Sequence, residues 1–337
     1  MTLIIRDLIP RNALMKIGLD KDVAATLVAD LVRSGIRIER GAQAASFTVP
    51  KDNPQAPIKI ELEAAGGGPL PRGADTEIKC DAYLAAVGRK PNTSRLNLAS
   101  ASIAVDAYGG IKVDSRLATT AKAGNVYAAG DVLGRPFLAS TGVAQGLAAV
   151  TSMFGNPEQH PTVVSSSEFS DDLLCIAGDI SSSGASFDPI SLAANPFAFP
   201  TGVWSSPEAS YYGLSSQQAI ELGIDAGEGI ALYSECLRGR VFAPNGLLKL
   251  VFDKRTGRVL GVHICGEDAC ELIHYGMELV KSKKTVTDIS NTLYSAVTFH
   301  EMYRIAAQSC LDEAGARKRR AAAGKALAAR NRQKRAT

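Results

Sequence analysis

NVYAAGDVLGRPFLAS, residues 125–140, reads as a short buried strand over 125–129, then Gly130-Asp131, then the approach to a helix over 140–154. A strand that ends in Gly-Asp and leads to a helix N-terminus can hold part of a nucleotide cofactor. The glycine lets a ligand approach the backbone, the carboxylate accepts hydrogen bonds from hydroxyls, and the helix N–H groups favour negative charge. The other half of such a site is a glycine-rich phosphate loop between a strand and a helix. The run AGGGPLPRG (65–73) leads into Pro-Leu-Pro and not into a helix, so it reads as a plain turn.

Upstream and downstream of this stretch, strands and helices alternate. TLIIR (2–6) reads as a parallel strand. LDKDVAATLVADLVRSG (19–35) follows, with Asp20 as N-cap, Val23, Leu27, Leu31 and Val32 on one helical face, and Gly35 as the stop. The next strand begins at Ile36–Ile38, and SFTVP and PIKIELEA make two short strands within 44–64. Cys80–Val87 is expected to be a strand ending at Gly88-Arg89, and 110–114 a further short one. Residues 155–199 shift to Ser, Pro, Asn and Asp and read as an inserted segment of low order.

From Thr201 the pattern changes. Ser215 and Gln218 stand at capping-box spacing, and Leu247–Phe252 and Arg258–Ile264 alternate around Gly257 as a hairpin. Helices are expected near 267–283 and 299–312. The fold class is α/β, followed by an α+β domain with an antiparallel sheet.

Composition narrows the function classes. The 337 residues suffice for two or three domains, and 46% hydrophobic with 21% charged residues is an ordinary globular balance. No run of about 18 apolar residues is present, and the N-terminal region lacks the ordered segments of a secretory signal. The six scattered cysteines then read as reduced thiols, and the expected location is cytoplasmic. Residues 317–337 carry nine Lys or Arg and no acid; without them the net charge of +3 becomes −6 for residues 1–316. The tail reads as a solvated basic extension, with a nucleic-acid or membrane-surface contact as the alternative; no nucleic-acid partner is expected.

Taken in order, AVGRKPN (86–92), NVYAAGDV with PFLAS (125–140), PTGVWSSPEASYYGLSSQQA (200–219), VLGVHICGEDACELIH (259–274) and FHEMYRIAA (299–307) resemble the motifs of the FAD-dependent pyridine nucleotide–disulfide oxidoreductases. The resemblance covers residues 2–153 and 200–312, and GRPFLAS and EMYRIAA are similar above all to the soluble, Si-specific NAD(P) transhydrogenase branch. It implies incomplete Rossmann-type FAD and NAD(P) domains joined to a dimerisation domain. The implied divisions are 1–92 (C-terminal part of the NAD(P) domain), 93–154 (second FAD segment), 155–199 (insertion), 200–316 (dimerisation) and 317–337 (tail). It also implies hydride transfer between NADPH and NAD through FAD, in a homodimer formed by residues 200–316. Family members begin with a glycine-rich flavin loop, a redox cysteine region and a second glycine-rich loop, none of which is in this sequence. The chain is therefore expected to be an N-terminally truncated product that is inactive and poorly soluble alone. A dihydrolipoyl dehydrogenase-like flavoenzyme and a non-catalytic dimerisation remnant are the alternatives.

The same resemblance suggests roles for single residues. Asp131 would accept hydrogen bonds from flavin ribityl hydroxyls, with Gly130 allowing close approach; capping of the next turn is the plain alternative. Leu138, Ala139 and Ser140 would open the helix that points at the flavin ring, Ser140 serving also as an N-cap. Gly88 and Arg89 would lie near the nicotinamide nucleotide, and Arg6 and Arg11 would tolerate the 2′-phosphate of NADP. Glu301 matches the family's C-terminal glutamate, the one catalytic candidate. The position of its histidine partner is Ala296, which suits hydride transfer without a thiol acid/base. Cys265 and Cys270 with His263 and His274 imitate a metal or redox set but read as a packed strand–helix corner, so no metal is expected.

Overall fold

The structure, a computed structural model, describes residues 1–155 and 199–312 apart from Asp52, Pro54, Ser115, Arg135 and Pro136. The expected insertion, beyond its two end residues 155 and 199, lies outside the described residues, as do the basic tail and Cys175. The chain divides into two compact units, one joining residues 1–85 with those from Pro200 onward, the other within 86–199.

In the first unit, β1 (Thr2–Ile5) pairs in parallel with β2 (Arg37–Arg40), and the crossover is made by α1 (Pro10–Met15) and α2 (Lys21–Arg33). Asp20, in extended conformation, starts α2 and accepts from the Asp22 N–H at 2.9 Å, while Gly35 at φ +86° follows its end. Val23, Ala24 and Leu27 are buried, but Val32 is 44% exposed. Nine residues beyond Val23, it lies about 180° round the helix, so it cannot share that face.

β3 (Ala42–Thr48), β4 (Ile58–Ala64) and β5 (Glu77–Cys80) form an antiparallel sheet in that order, over a small core of Ala42, Ile60 and Leu62. The strand expected over Cys80–Val87 in fact ends at Cys80, and residues 81–90 are exposed without strand structure. The register explains this: Cys80 pairs with Ile58, the first residue of β4, so no partner remains beyond it.

In the second unit, α3 (Ala139–Phe154) follows a 3-10 turn at Gly130–Leu133. The strands expected over 110–114 and 125–129 shrink to isolated bridges, Val105–Ile111, Val113–Thr119 and Ala118–Tyr127. Asp106 Oδ1 accepts from the N–H groups of Tyr108 and Gly110, and Asp114 Oδ1 from those of Arg116 and Ala118. These local side-chain bonds draw the backbone into turns where a ladder would otherwise continue.

The first unit resumes with β6 (Thr201–Val203), β7 (Glu208–Gly213), α4 (Ser216–Glu221), β8 (Ala226–Leu232), α5 (Leu237–Phe242), β9 (Leu247–Asp253), β10 (Val259–Gly266), α6 (Ala269–Lys281), α7 (Val286–Asn291) and α8 (Glu301–Leu311). The five strands form an antiparallel sheet in the order β6-β7-β10-β9-β8. The capping box at Ser215–Gln218 is formed in both directions, and Asp253 organises the expected hairpin turn by accepting from the Arg255 N–H and Thr256 Oγ1. One sheet face lies under α6 and α8: Ser210 Oγ donates to the Ala269 carbonyl, and a Cβ on Gly229 would strike the Ala306 carbonyl. The other face packs Ala209, Tyr211, Ile230, Leu247 and Cys265 against Leu19, Val23, Ala24 and Leu27 of the N-terminal segment. Among the described residues, no helix is long and apolar enough to cross a membrane.

Across this second face runs a polar row of directly opposed residues, Tyr211, His263 and Lys249. Tyr211 donates to the Ile17 carbonyl at 2.5 Å, and His263 Nε2 donates to the Leu214 carbonyl at 2.9 Å. The fully buried Lys249 ammonium meets Asp20 at 2.8 Å, Asp22 at 2.7 Å and Glu228 at 2.9 Å. Burial alone would raise the Asp20 carboxyl, but Lys249 and His263 outweigh it and hold it below its usual value. Burial lowers His263, with Lys249 adding to this and Asp20 and the Leu214 carbonyl opposing it.

Candidate functional site

The Gly-Asp turn and the start of α3 form one corner of the second unit. Gly130, at φ +78°, sits where a side chain would be strained. A Cβ on Gly142 would stand 3.4 Å from the Gly130 Cα, so the turn lies directly on the helix. The Gly130 N–H donates to Gln145 Oε1 at 2.8 Å, and Gln145 is itself buried. α3 starts after Leu138, an extended residue that makes no side-chain cap bond. Its first N–H groups, at the positive end of the helix dipole, are thus left without a capping side chain. Thr141 Oγ1, in that first turn, is buried without a hydrogen-bond partner among the described residues.

The Asp131 side chain is 53% exposed at the mouth of this corner, with Arg89 Nη1 3.5 Å from Oδ2. Arg89 Nη2 donates to the Phe137 carbonyl at 2.6 Å, and its guanidinium lies 5.2 Å over the Phe137 ring. The corner therefore offers a partly exposed carboxylate, an uncapped helix N-terminus and a close glycine–glycine contact. That set suits a ligand with hydroxyl donors at one end and developing negative charge at the other.

Gly130, Asp131, Leu138, Ala139 and Ser140 are thus brought together. Ser140 is not the cap: it lies inside α3, two residues past Leu138, and its side chain is exposed. Gly88 has the left-handed φ of +104° but is exposed, with nothing within 4 Å of an added Cβ. Arg89 turns to Asp131 and Phe137. Arg6 follows β1 and reaches the Ala65 carbonyl at 3.4 Å, Arg11 is exposed on α1, and Asp7 pairs with Lys16. Glu301 begins α8, where Oε2 accepts from the Thr298 N–H at 3.3 Å and Oε1 lies 3.9 Å from Arg304.

Cys265 and Cys270 are buried free thiols, each pushed up to about 12 chiefly by burial, which leaves little thiolate. Among the described residues no group of three His, Cys, Asp or Glu could hold a metal ion. Sequence reasoning missed Gln145 and Gly142 as supports of the turn, and the target of Arg89. The available signals were the one amide side chain in the run of small and apolar residues STGVAQGLAAV and the glycine one turn before it.

Comparison with known proteins agrees with this architecture. The pyridine nucleotide-disulphide oxidoreductase model matches residues 8–146, and the dimerisation domain model of the same group matches residues 199–307. A soluble pyridine nucleotide transhydrogenase of Stutzerimonas stutzeri is 32% identical over 235 residues, 68% of this chain and 43% of that protein. A dihydrolipoyl dehydrogenase of Thermus scotoductus is 30% identical over 291 residues, 86% of this chain and 53% of that protein. The chain thus spans about half the length of the curated relatives it matches. Among solved structures, the HOCl-induced flavoprotein disulfide reductase RclA from Escherichia coli superposes with a TM-score of 0.68 at 21% identity, over 91% of this chain and 58% of that one. That likeness extends the expected fold class, Rossmann-like elements with an antiparallel-sheet domain, across most of the chain. With both family models matched in order, the chain belongs to the pyridine nucleotide–disulphide oxidoreductase family.

Proposed function

We propose that this chain forms part of a flavoprotein oxidoreductase of the transhydrogenase type, passing hydride between NADPH and NAD through FAD, as a homodimer built on residues 200–316. The observation that carries the reading is the Asp131 corner, with the Gly-Asp turn seated on the open N-terminus of α3. A flavin fits these residues: Gly130 and Gly142 leave no side chain between turn and helix, and Asp131 remains accessible. When bound, FAD supplies the hydride acceptor and donor.

The chain's own residues would do the rest. The Asp131 carboxylate would accept hydrogen bonds from ribityl hydroxyls, charge-assisted bonds stronger than neutral ones. The first N–H groups of α3, from Ala139 and Ser140 onward, would favour negative charge on the reduced ring. Arg6, Arg11 and Gly88 would serve the nicotinamide nucleotide. Glu301 would hold the loop before α8 through its bond to the Thr298 N–H.

Dihydrolipoyl dehydrogenase-like chemistry is the second reading, favoured by the match over 86% of this chain. Against it stands Ala296, which offers no proton carrier at the position where the disulfide reductases place their histidine. The test is a titration of FAD, followed by its fluorescence, into the purified chain and its Asp131→Asn variant. Saturable binding that the variant weakens about tenfold to a hundredfold is expected, because a charge-assisted bond contributes roughly 1.5–3 kcal/mol. Equal behaviour of the two proteins, or no binding to either, would overturn the reading.

A further inference from the structure

We propose that Arg89 is a positioning residue for the Asp131 corner. Its guanidinium ties the carboxylate-bearing turn to the residue that leads into α3, and so sets the spacing between the two groups a flavin would contact. The ligand rests on the flavin reading above; the tie itself is visible without it.

Three contacts use three parts of one planar group. Nη1 lies 3.5 Å from Asp131 Oδ2, Nη2 donates to the Phe137 carbonyl at 2.6 Å, and the flat face covers the Phe137 ring at 5.2 Å. All three targets lie within residues 131–137, on the two sides of Gly134, whose φ of +107° marks a backbone without side-chain restraint. The other supports of the corner act elsewhere. The Gln145 bond and the Gly142 contact hold Gly130, and the Gly134 N–H reaches the Asp131 carbonyl at 3.2 Å. None of these acts on the Asp131 carboxylate or on the Phe137–Leu138 approach to the helix, whereas Arg89 acts on both.

An exposed ion pair at 3.5 Å contributes little by itself, so the short charge-assisted bond to Phe137 is expected to carry most of the effect. A lysine would keep the charge but lose the fork and the stacking face. The expected role is geometric: fixing where the carboxylate stands relative to the uncapped N–H groups of α3.

The experiment uses the whole chain with Arg89→Ala, Arg89→Lys and Asp131→Asn, each checked for native circular dichroism. Amide hydrogen exchange without ligand reads the tie directly. Arg89→Ala should raise exchange over residues 131–142 about fivefold or more, Arg89→Lys less, while exchange in the 200–312 sheet stays unchanged. FAD titration reads the consequence: affinity should fall roughly fivefold to tenfold in Arg89→Ala. In the Asp131→Asn background the same change should cost much less, since the two act through one geometry.

Unchanged exchange over 131–142 in Arg89→Ala overturns the proposal. Raised exchange with undiminished FAD affinity overturns the spacing role. If the unsubstituted chain takes up no FAD, the flavin reading fails, and the exchange measurement still decides whether Arg89 holds the corner.

Discussion

Lys249→Met is the sharpest perturbation this structure offers. The Lys249 ammonium contacts Asp20, Asp22 and Glu228, and the lysine and Asp20 side chains are both 0% exposed, with Glu228 at 8%. Methionine fills similar volume, so the change tests charge and not packing. Removing one partner of a buried ion pair typically costs about 3–5 kcal/mol, because the remaining charge is left desolvated. Here three carboxylates lose a cation they share, which argues for the upper part of that range. For a unit of this size, about 2–4 °C per kcal/mol turns this into a fall in Tm of roughly 6–20 °C.

Urea denaturation at several pH values is the assay. Without the lysine, Asp20 in the folded state must take up a proton more readily than in the unfolded chain. The folded protein then binds more protons, so the loss should be largest near pH 8 and shrink towards pH 5. Combining Lys249→Met with Asp20→Asn and Glu228→Gln removes the two buried charges, leaving only the part-exposed Asp22, and should recover at least half the stability. A loss below about 1 kcal/mol, or one equal at pH 5 and pH 8, would refute the account.

Two further outcomes follow from the same buried charges and the Gly130 turn. In the unsubstituted chain burial holds His263 below its ordinary 6.5, and Lys249 and His263 hold Asp20 below its ordinary 3.8 against the effect of burial, so the folded state holds fewer protons than the unfolded one at both groups. Stability should be full above about pH 6.5, fall as pH drops through that value, and fall again below about pH 3.8; His263→Gln should flatten the first decline, and a urea midpoint that rises on acidification would contradict this. Gly130→Ala places a Cβ at φ +78° and 3.7 Å from the Gly142 Cα. It should lower the stability of the second unit by roughly 1–2 kcal/mol in thermal melts, and a neutral result would remove the case for a strained turn at this site.

What could be read from the sequence was what is encoded locally. The Asp20 cap, the Ser215–Gln218 box, the Gly257 hairpin and α3 depend on residues within a few positions of each other, and each was formed. The strands expected at 80–87 and 125–129 failed because a strand is a property of a pair. The first outran its partner at Ile58, and the second faces, at Ala118, a segment drawn into the Asp114 turn.

Side-chain partners at long range were invisible for the same reason. Arg89 reaches Phe137 across 48 positions and Lys249 reaches Asp20 across 229. A lysine in LLKLVF announces only that something polar must meet it inside. That something is the start of α2, so the N-cap that begins the helix is also the counter-charge that seats it on the sheet. One aspartate thus couples local helix formation to long-range packing. Its loss should be felt in both, with Asp20→Ala fraying the first turn of α2 in hydrogen exchange as well as destabilising the sheet it covers. If only the helix start loosened while the sheet kept its protection, the coupling through Lys249 would be disproved.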